Sequence, residues 1–372
     1  MIRIGITGQR GFIGQHLYNT LGLFPQEFER VESSKDIFDD QEKLNGFVSR
    51  CDVIVHLAAM NRHNDAGTIY DTNINLTSKL ILALQSTKSN AHVLFSSSSQ
   101  EENNNLYGKS KKEGRRLLAE WANKLGGCFT GLVIPNVFGP FGRPFYNSFI
   151  STFSHQLSRN EQPRIQIDSS VKLIYVDDLV SVIIKEIRSK KGNESLIVPH
   201  TDEFKVSQIL ALLESYKLQY VESGIIPQLT NSFELNLFNT FRCYIDIENH
   251  FPVKFIQHTD MRGSFVEVIR LNVGGQVSFS TTVPGVTRGN HYHTRKIERF
   301  AVIRGKALIQ LRKIGSDEVM NFHLSGDEPA YVDMPIWHTH NITNTGKEEL
   351  YTIFWINEFF DPATPDTYFE NV

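Results

Sequence analysis

Four apolar runs, IRIGIT (2–7), CDVIVHLAA (51–59), HVLFSSSS (92–99) and CFTGLVIPNVFG (128–139), recur through the first 195 residues, each followed by a segment of helical period. Strands alternating with helices predict a parallel sheet with helices on both faces. Ile54 and Val55 with Leu57, and Val93 with Leu94 and Phe95, are continuous rather than alternating apolar positions, as in a strand buried on both sides. From Phe204 to Leu237 the pattern is mostly helical. After about Tyr244 it changes to short β-rich runs, VSFSTTV, RFAVIRGKALIQLRKI, EPAYVDM and LYTIFWINEFF, separated by Gly, Pro, Asn and Asp turns. That texture predicts an antiparallel jelly-roll barrel or sandwich. The expected fold is therefore an α/β Rossmann-like doubly wound parallel sheet over 1–243, followed by an all-β domain over 244–372.

A chain of 372 residues is long for one core and ample for two. With 38 Lys+Arg against 41 Asp+Glu the formal charge is −3, which argues against a nucleic-acid partner. Cys51, Cys128 and Cys243 are far apart and odd in number, so neither a disulfide framework nor a Cys-x-x-Cys metal knuckle is expected. The N-terminal glycines interrupt its apolar stretch, and no window approaches a membrane span. A soluble cytoplasmic protein with no membrane partner is expected.

Thr7-Gly8-Gln9-Arg10-Gly11-Phe12-Ile13-Gly14 follows the first strand and opens a helix. There, glycines let the backbone approach a pyrophosphate, and the helix N-terminus favours its charge. The acid expected at the end of the second strand could be Glu29 or Glu32. Arg10 in the loop can clamp a ribose phosphate, which favours NADPH over NADH. Downstream, Tyr107-Gly-Lys-Ser-Lys111 opens a helix after the serine run Ser96 to Ser99. Hydride delivery to a ketone builds an alkoxide that a tyrosine can protonate. The spacing puts Lys111 one turn from Tyr107, where its charge is expected to lower the phenol pKa, and Ser98 is the serine expected to orient the carbonyl.

These residues resemble the extended short-chain dehydrogenase/reductase family. His56-Leu57-Ala58-Ala59 after Asp52-Val-Ile-Val, Asn75 as a structural asparagine, Pro135-Asn136-Val137-Phe-Gly-Pro140 along the nicotinamide and sugar site, and Tyr175-Val-Asp-Asp178 match its motifs in order. Val133 stands where close relatives carry an arginine. The resemblance implies a reductase acting on nucleotide-linked sugars.

Gly289-Asn-His291-Tyr-His293, then Glu298 and a later His340, form a possible metal site. Strand alternation puts His291 and His293 on one face, Glu298 can fold back from the next strand, and this donor set suits zinc, iron, nickel or manganese. The pattern resembles the cupin metal site. Its flanks, Asp260-x-Arg262-Gly263-Ser-Phe265, Gln276-Val-Ser278 and Pro284-Gly-Val-Thr-Arg288-Gly289, are similar to the cupins that epimerise 4-keto-deoxysugars. In those epimerases the position of His291 is the general base and a metal is usually absent. Here His293 replaces the usual glutamine, so His291 is expected to be a ligand, with His338, His258, Tyr292 and Lys296 as alternative bases.

A 4-ketone acidifies the C3 hydrogen and reduction removes that acidity, so epimerisation must precede reduction if both halves share a substrate. The two-domain order, together with Asn357-Glu-Phe-Phe-Asp361-Pro and Pro365-Asp-Thr-Tyr-Phe369, resembles the CapF family of bifunctional capsular polysaccharide enzymes. That resemblance implies C3 epimerisation and then NADPH-dependent C4 reduction of a UDP-linked 4-keto-6-deoxy-N-acetylhexosamine, with zinc in the cupin and a homodimer formed through it. The alternatives are a simple 4-keto-sugar reductase with the cupin as a dimerisation module, and a non-catalytic nucleotide-sugar sensor.

Overall fold

The computed structural model describes residues 1–34, 36–261 and 263–372, so Arg262 of the Asp260-to-Phe265 motif lies outside the described residues. The chain divides into two compact units, one of residues 1–152 and 165–208, the other of 153–164 and 209–372.

The first unit holds β1 (Ile2–Thr7), β2 (Phe28–Val31), β3 (Val53–His56), β4 (His92–Ser98), β5 (Cys128–Ile134), β6 (Asn136–Phe138), β7 (Ser170–Tyr175), β8 (Asn193–Ile197) and β9 (Asp202–Lys205). Its helices are α1 (Phe12–Leu21), α2 (Gln41–Val48), α3 (Ala66–Ser86), α4 (Leu106–Leu125) and α6 (Val176–Ser189), while α5 (Phe149–Ser158) crosses between the units. Six parallel strands lie in the order β2-β1-β3-β4-β5-β8, the doubly wound sheet expected from the sequence, and β6-β7-β9 form a small second sheet.

Alternate residues of the central strands feed two cores. Ile4, Ile6, Val53, Val55 and Leu94 pack with Leu17 and Leu21 of α1 and Ile183 and Ile187 of α6. Ile54, Val93 and Phe95 pack on the other face with Leu80 and Leu84 of α3 and Leu118 and Trp121 of α4. The continuous apolar runs follow from this, since both side-chain rows of each strand are covered. Among the described residues no helix is long and apolar enough to cross a membrane.

The second unit contains most of α7 (Val206–Tyr216), all of α8 (Ser232–Arg242), and strands β10 (Val253–Lys254), β11 (Gln257–Asp260), β12 (Gly263–Val266), β13 (Gln276–Thr282), β14 (Thr287–Tyr292), β15 (Glu298–Arg304), β16 (Lys306–Lys313), β17 (Val319–Ser325), β18 (Ala330–Met334), β19 (His338–Asn344), β20 (Leu350–Ile356) and β21 (Tyr368–Phe369). Two five-stranded antiparallel sheets, β10-β18-β15-β20-β13 and β17-β16-β19-β14-β21, enclose a core that includes Val302, Ile309, Leu311, Phe322, Val332 and Ile342. This matches the expected all-β second half.

In packing, the segment 209–243 differs from expectation, because it belongs with the β-rich unit. Its polar groups are satisfied there. Tyr220 donates to Asp333 Oδ2 at 2.6 Å, Asn239 Nδ2 to Arg295 O at 2.9 Å, and Arg242 Nη2 to Met334 O at 3.0 Å. Arg299 on β15 makes a buried bidentate pair with Asp333 at 2.7 and 2.9 Å and donates to Gly224 O. These pairings, together with burial of apolar side chains such as Leu237, Phe238 and Phe241, join the segment to the β-rich unit.

Candidate active site and metal centre

A cleft of about 900 Å³ opens at the C-terminal edge of the parallel sheet. Its lining includes Gly8, Arg10, Gly11, Phe12, Ile13, Gly14, Leu57, Ala58, Ala59, Ser98, Tyr107, Lys111, Pro135, Asn136 and Val137, so the structure gathers the whole expected nucleotide and catalytic set in one place. Gly8 has φ +74°, and a Cβ there would stand 2.8 Å from Ala58 N. A Cβ on Gly14 would lie 2.3 Å from Gly8 O, a backbone atom that cannot step aside. Gln9 Oε1 is buried in this loop with no hydrogen-bond partner. The tight turn, the open helix N-terminus and the orphaned acceptor fit a dinucleotide.

Beyond β2 the cleft is lined by Ser33 and Ser34, whereas neither Glu29 nor Glu32 takes part in it. The two acids expected to hold a ribose hydroxyl are therefore not in the cleft, whereas Arg10 and a different acid, Asp39, are.

The serines at the end of β4 have separate tasks. Ser96 Oγ donates to His56 O at 3.2 Å and Ser97 donates to the Glu101 carboxylate, which Arg115 holds in a bidentate pair at 2.9 and 2.6 Å. Ser98 Oγ accepts from Gln100 N at 3.2 Å, which leaves its own proton for a ligand in the cleft. Asn105 caps α4 by accepting from Gly108 N at 2.7 Å, which starts the helix just before Tyr107. Lys111 is buried; its Nζ donates to Ser96 O at 2.9 Å and lies 5.1 and 5.8 Å from the ring centres of Phe95 and Tyr107.

The electrostatics differ from the expected picture. Burial, with Tyr146 nearby, pushes the Tyr107 phenol up to about 12, so in the unliganded cleft Lys111 does not hold it below the usual tyrosine value. Burial draws Lys111 down to about 8, with Glu101 acting in the opposite sense. Tyr107 is thus a protonated donor at neutral pH, with a mostly charged lysine one turn away.

The structural asparagine is Asn73, not Asn75. On α3, Asn73 is buried and brackets Met60, accepting from its N at 2.7 Å and donating to its O at 3.1 Å, and it also donates to Ser110 Oγ at 3.0 Å. Asn75 is two residues on and faces outward, because a helix turns about 200° over that interval. Val133 is not in the cleft lining, but Arg62, Arg143 and Tyr146 are. Sequence reasoning passed over these three, whose only signal is their closeness to the Leu57-to-Ala59 and Pro135-to-Pro140 motifs.

In the second unit, His291, His293, Glu298 and His340 bring one ligand atom each within 4.8 Å of one another. His293 Nε2 and His340 Nε2 lie 3.1 and 3.2 Å from the same Glu298 Oε2. The Nδ1 protons are used elsewhere, by Asp366 O at 2.5 Å for His293 and by His338 O at 3.3 Å for His340. With Nδ1 committed in this way both rings turn Nε2 to one carboxylate oxygen, a position that either a ring proton or a shared cation can fill. Burial acts to raise the Glu298 carboxyl, but His293 and His340 hold it well below its ordinary range; burial and the two neighbouring imidazoles push His291 down to about 4. Three imidazoles and one carboxylate gathered this closely form a donor set that fits a divalent metal. His293 falls just beyond β14, so its convergence on His291 owes as much to the 294–297 turn as to strand alternation.

Of the alternative bases, His338 is buried and donates to Ile336 O at 3.0 Å, Tyr292 stacks between Trp337 and Tyr368, and buried Lys296 donates to Pro365 O. His258 is exposed on the β11–β12 hairpin.

The model of the NAD dependent epimerase/dehydratase family matches residues 4–198, and that of the polysaccharide biosynthesis C-terminal domain matches 258–368. A Pseudomonas aeruginosa protein named UDP-2-acetamido-2,6-beta-L-arabino-hexul-4-ose reductase is 32% identical over 99% of this chain and 98% of its own. The capsular polysaccharide assembling protein CapF from Staphylococcus aureus superposes with a TM-score of 0.64 at 34% identity, covering 100% of both chains. The RMD structure from Pseudomonas aeruginosa, complexed with NADPH, shares the fold at 21% identity and TM-score 0.53 over 59% of this chain and 83% of its own. With a relative matched almost end to end and both family models falling in order on the two halves, the chain belongs to the NAD dependent epimerase/dehydratase family, in its CapF-like branch with a polysaccharide biosynthesis C-terminal domain.

Proposed function

We propose that the protein carries out two consecutive steps on one nucleotide sugar. Residues 244–372 invert C3 of UDP-2-acetamido-2,6-dideoxy-β-L-arabino-hex-4-ulose, and residues 1–243 reduce its C4 ketone with NADPH. The product is UDP-2-acetamido-2,6-dideoxy-β-L-talose, on the route to UDP-N-acetyl-L-fucosamine for capsule or O-antigen. The observation that carries the reading is the convergence of Ser98, Tyr107 and Lys111 on the same cleft as the glycine loop. The name of the Pseudomonas aeruginosa relative supports the substrate class. Arg10 with Ser33 and Ser34, and the position of Glu29 and Glu32 outside the lining, support NADPH.

In the reduction, Ser98 donates a hydrogen bond to the C4 carbonyl oxygen and Tyr107 gives it a proton as hydride arrives, while the Lys111 charge stabilises the phenolate left behind. In the second unit His291, His293, Glu298 and His340 would hold a zinc ion, which when bound supplies positive charge either for a sugar oxygen or for stapling the fold. A soluble cytoplasmic homodimer paired through the β-rich domain fits the exposed Val277 and Phe279 of edge strand β13.

The test is proton NMR of the UDP-4-keto-6-deoxy-N-acetylhexosamine in deuterated water, with enzyme and without NADPH, repeated on His291→Ala. Exchange of the C3 hydrogen by wild type alone is expected. Exchange that survives in the variant would make the metal structural. No exchange with either protein would sink the epimerase half and leave a reductase with a β-rich dimerisation domain.

A further inference from the structure

Between the ligands His293 and Glu298 the chain makes a turn, 294–297, outside any strand. Each backbone N–H of that turn is taken by the C-terminal segment. Thr294 N donates to Asp366 Oδ1, and Arg295 N and Lys296 N donate to Asp366 Oδ2, all at 3.0 Å. Ile297 N donates to Asn357 Oδ1 at 2.8 Å. Thr294 Oγ1 adds a fourth hydrogen bond to the Asp366 carboxylate, at Oδ1 and 2.7 Å. The Asp366 side chain is 0% exposed, and Arg295 Nη1, 3.9 Å away, partly offsets its charge.

The same residue also acts through its backbone. Asp366 O accepts the His293 Nδ1 proton at 2.5 Å, which fixes both the tautomer and the tilt of that ring. To present carboxylate and carbonyl to one turn, Asp366 adopts φ +43°, a left-handed conformation that Asp tolerates better than most residues. One residue in the C-terminal motif therefore sets the path of the turn carrying two ligands and the aim of one of them.

We propose that Asp366 is a positioning residue of the metal centre, presetting His293 and Glu298 as ligands. This rests on the metal reading given above. It assigns a role to the Pro365-to-Phe369 stretch, whose side chains supply no ligand.

The test titrates chelator-stripped full-length protein with Zn²⁺ against a competing fluorescent chelator, for wild type, Asp366→Gly, Asp366→Asn and Glu370→Gln. Thermal unfolding of each metal-free protein is followed in parallel. Glycine keeps the left-handed backbone and the carbonyl but removes the carboxylate; asparagine keeps one acceptor. Glu370 pairs with Arg312 in the same tail and touches none of the ligands. The expected result is a Kd weakened about 10–100-fold in the glycine variant, a smaller weakening in the asparagine variant, and no change in Glu370→Gln. Should the glycine variant not fold, the asparagine variant decides. Unchanged Zn²⁺ affinity in the Asp366 variants, whatever happens to their metal-free unfolding temperature, overturns the proposal. Failure of wild type itself to bind Zn²⁺ is a separate result, which removes the metal reading and this inference with it.

Discussion

Replacing Lys111 with methionine should stabilise the unliganded protein at pH 7 while removing its turnover. Lys111 is fully buried, and its pKa falls from 10.5 to about 8, chiefly because burial penalises the charge. The folded value lies below the unfolded one, so between about pH 8 and 10.5 the unfolded chain binds more protons and wild-type stability rises with pH. The cost of the buried charge is therefore fully present below pH 8 and fades by 10.5. A drop from 10.5 to about 8 corresponds to roughly 3 kcal/mol. Methionine matches the length and apolar character of the stem but loses the hydrogen bond to Ser96 O, which offsets about 1 kcal/mol. The expected net gain at pH 7 is about 2 kcal/mol, or roughly 4–8 °C in Tm for a unit of this size. At pH 10.5 the variant should be the less stable protein, by about 1 kcal/mol. Urea denaturation at 222 nm, with no cofactor, at pH 7, 9 and 10.5 measures the difference directly, and groups common to both proteins cancel in it. A difference that stays constant or keeps its sign across that range would refute the reasoning. In the same preparations, consumption of NADPH with the 4-keto sugar should fall at least about 100-fold, as expected when an acid-base group loses its support.

Tyr107→Phe should lower kcat for NADPH consumption about 10²–10⁴-fold with cofactor affinity little changed, because the phenol proton is used only in the chemical step. Arg10→Ala should raise the KM for NADPH roughly 10-fold or more and leave that for NADH where it was, the loss of one charge-assisted contact; steady-state kinetics with both cofactors checks it. Asp333→Ala should destabilise the second unit by about 3–5 kcal/mol, since Arg299 and Tyr220 would both be left buried without their acceptor. Chemical denaturation followed by the fluorescence of Trp337 and Trp355 reads that loss.

The parallel sheet was legible because β3 and β4 are apolar on both side-chain rows, and both rows are covered. The edge strand β8, NESLI, is mostly exposed and has no such signature. The cofactor cleft was legible because its glycines answer to steric demands of the backbone itself. What a linear pattern does not carry is which partner a surface meets. Helical period marks 204–237 as mostly helical but is silent on the Arg299–Asp333 pair that claims Tyr220. Asn73 and Asn75 stand in one short helical stretch, and only the rotation of α3 against Met60 and Ser110 selects the first. Likewise the Tyr-x-x-x-Lys spacing states that a cation is one turn from a phenol, whereas the depth of the site decides which way each pKa moves. Asp366, 68 residues beyond Glu298, has no spacing relation to the ligands.

The division of the chain has a consequence for taking the protein apart. The polypeptide passes from one unit to the other at 152/153, 164/165 and 208/209. No single break separates two intact bodies. A fragment that begins near residue 244 lacks Tyr220, Asn239 and Arg242 and strands the groups they satisfy in the β-rich unit. An upstream cut at 208 leaves residues 153–164 behind on the wrong fragment. Expressing either half alone therefore reports on a damaged body, and loss of one activity in such a fragment is no evidence that the other half performs it.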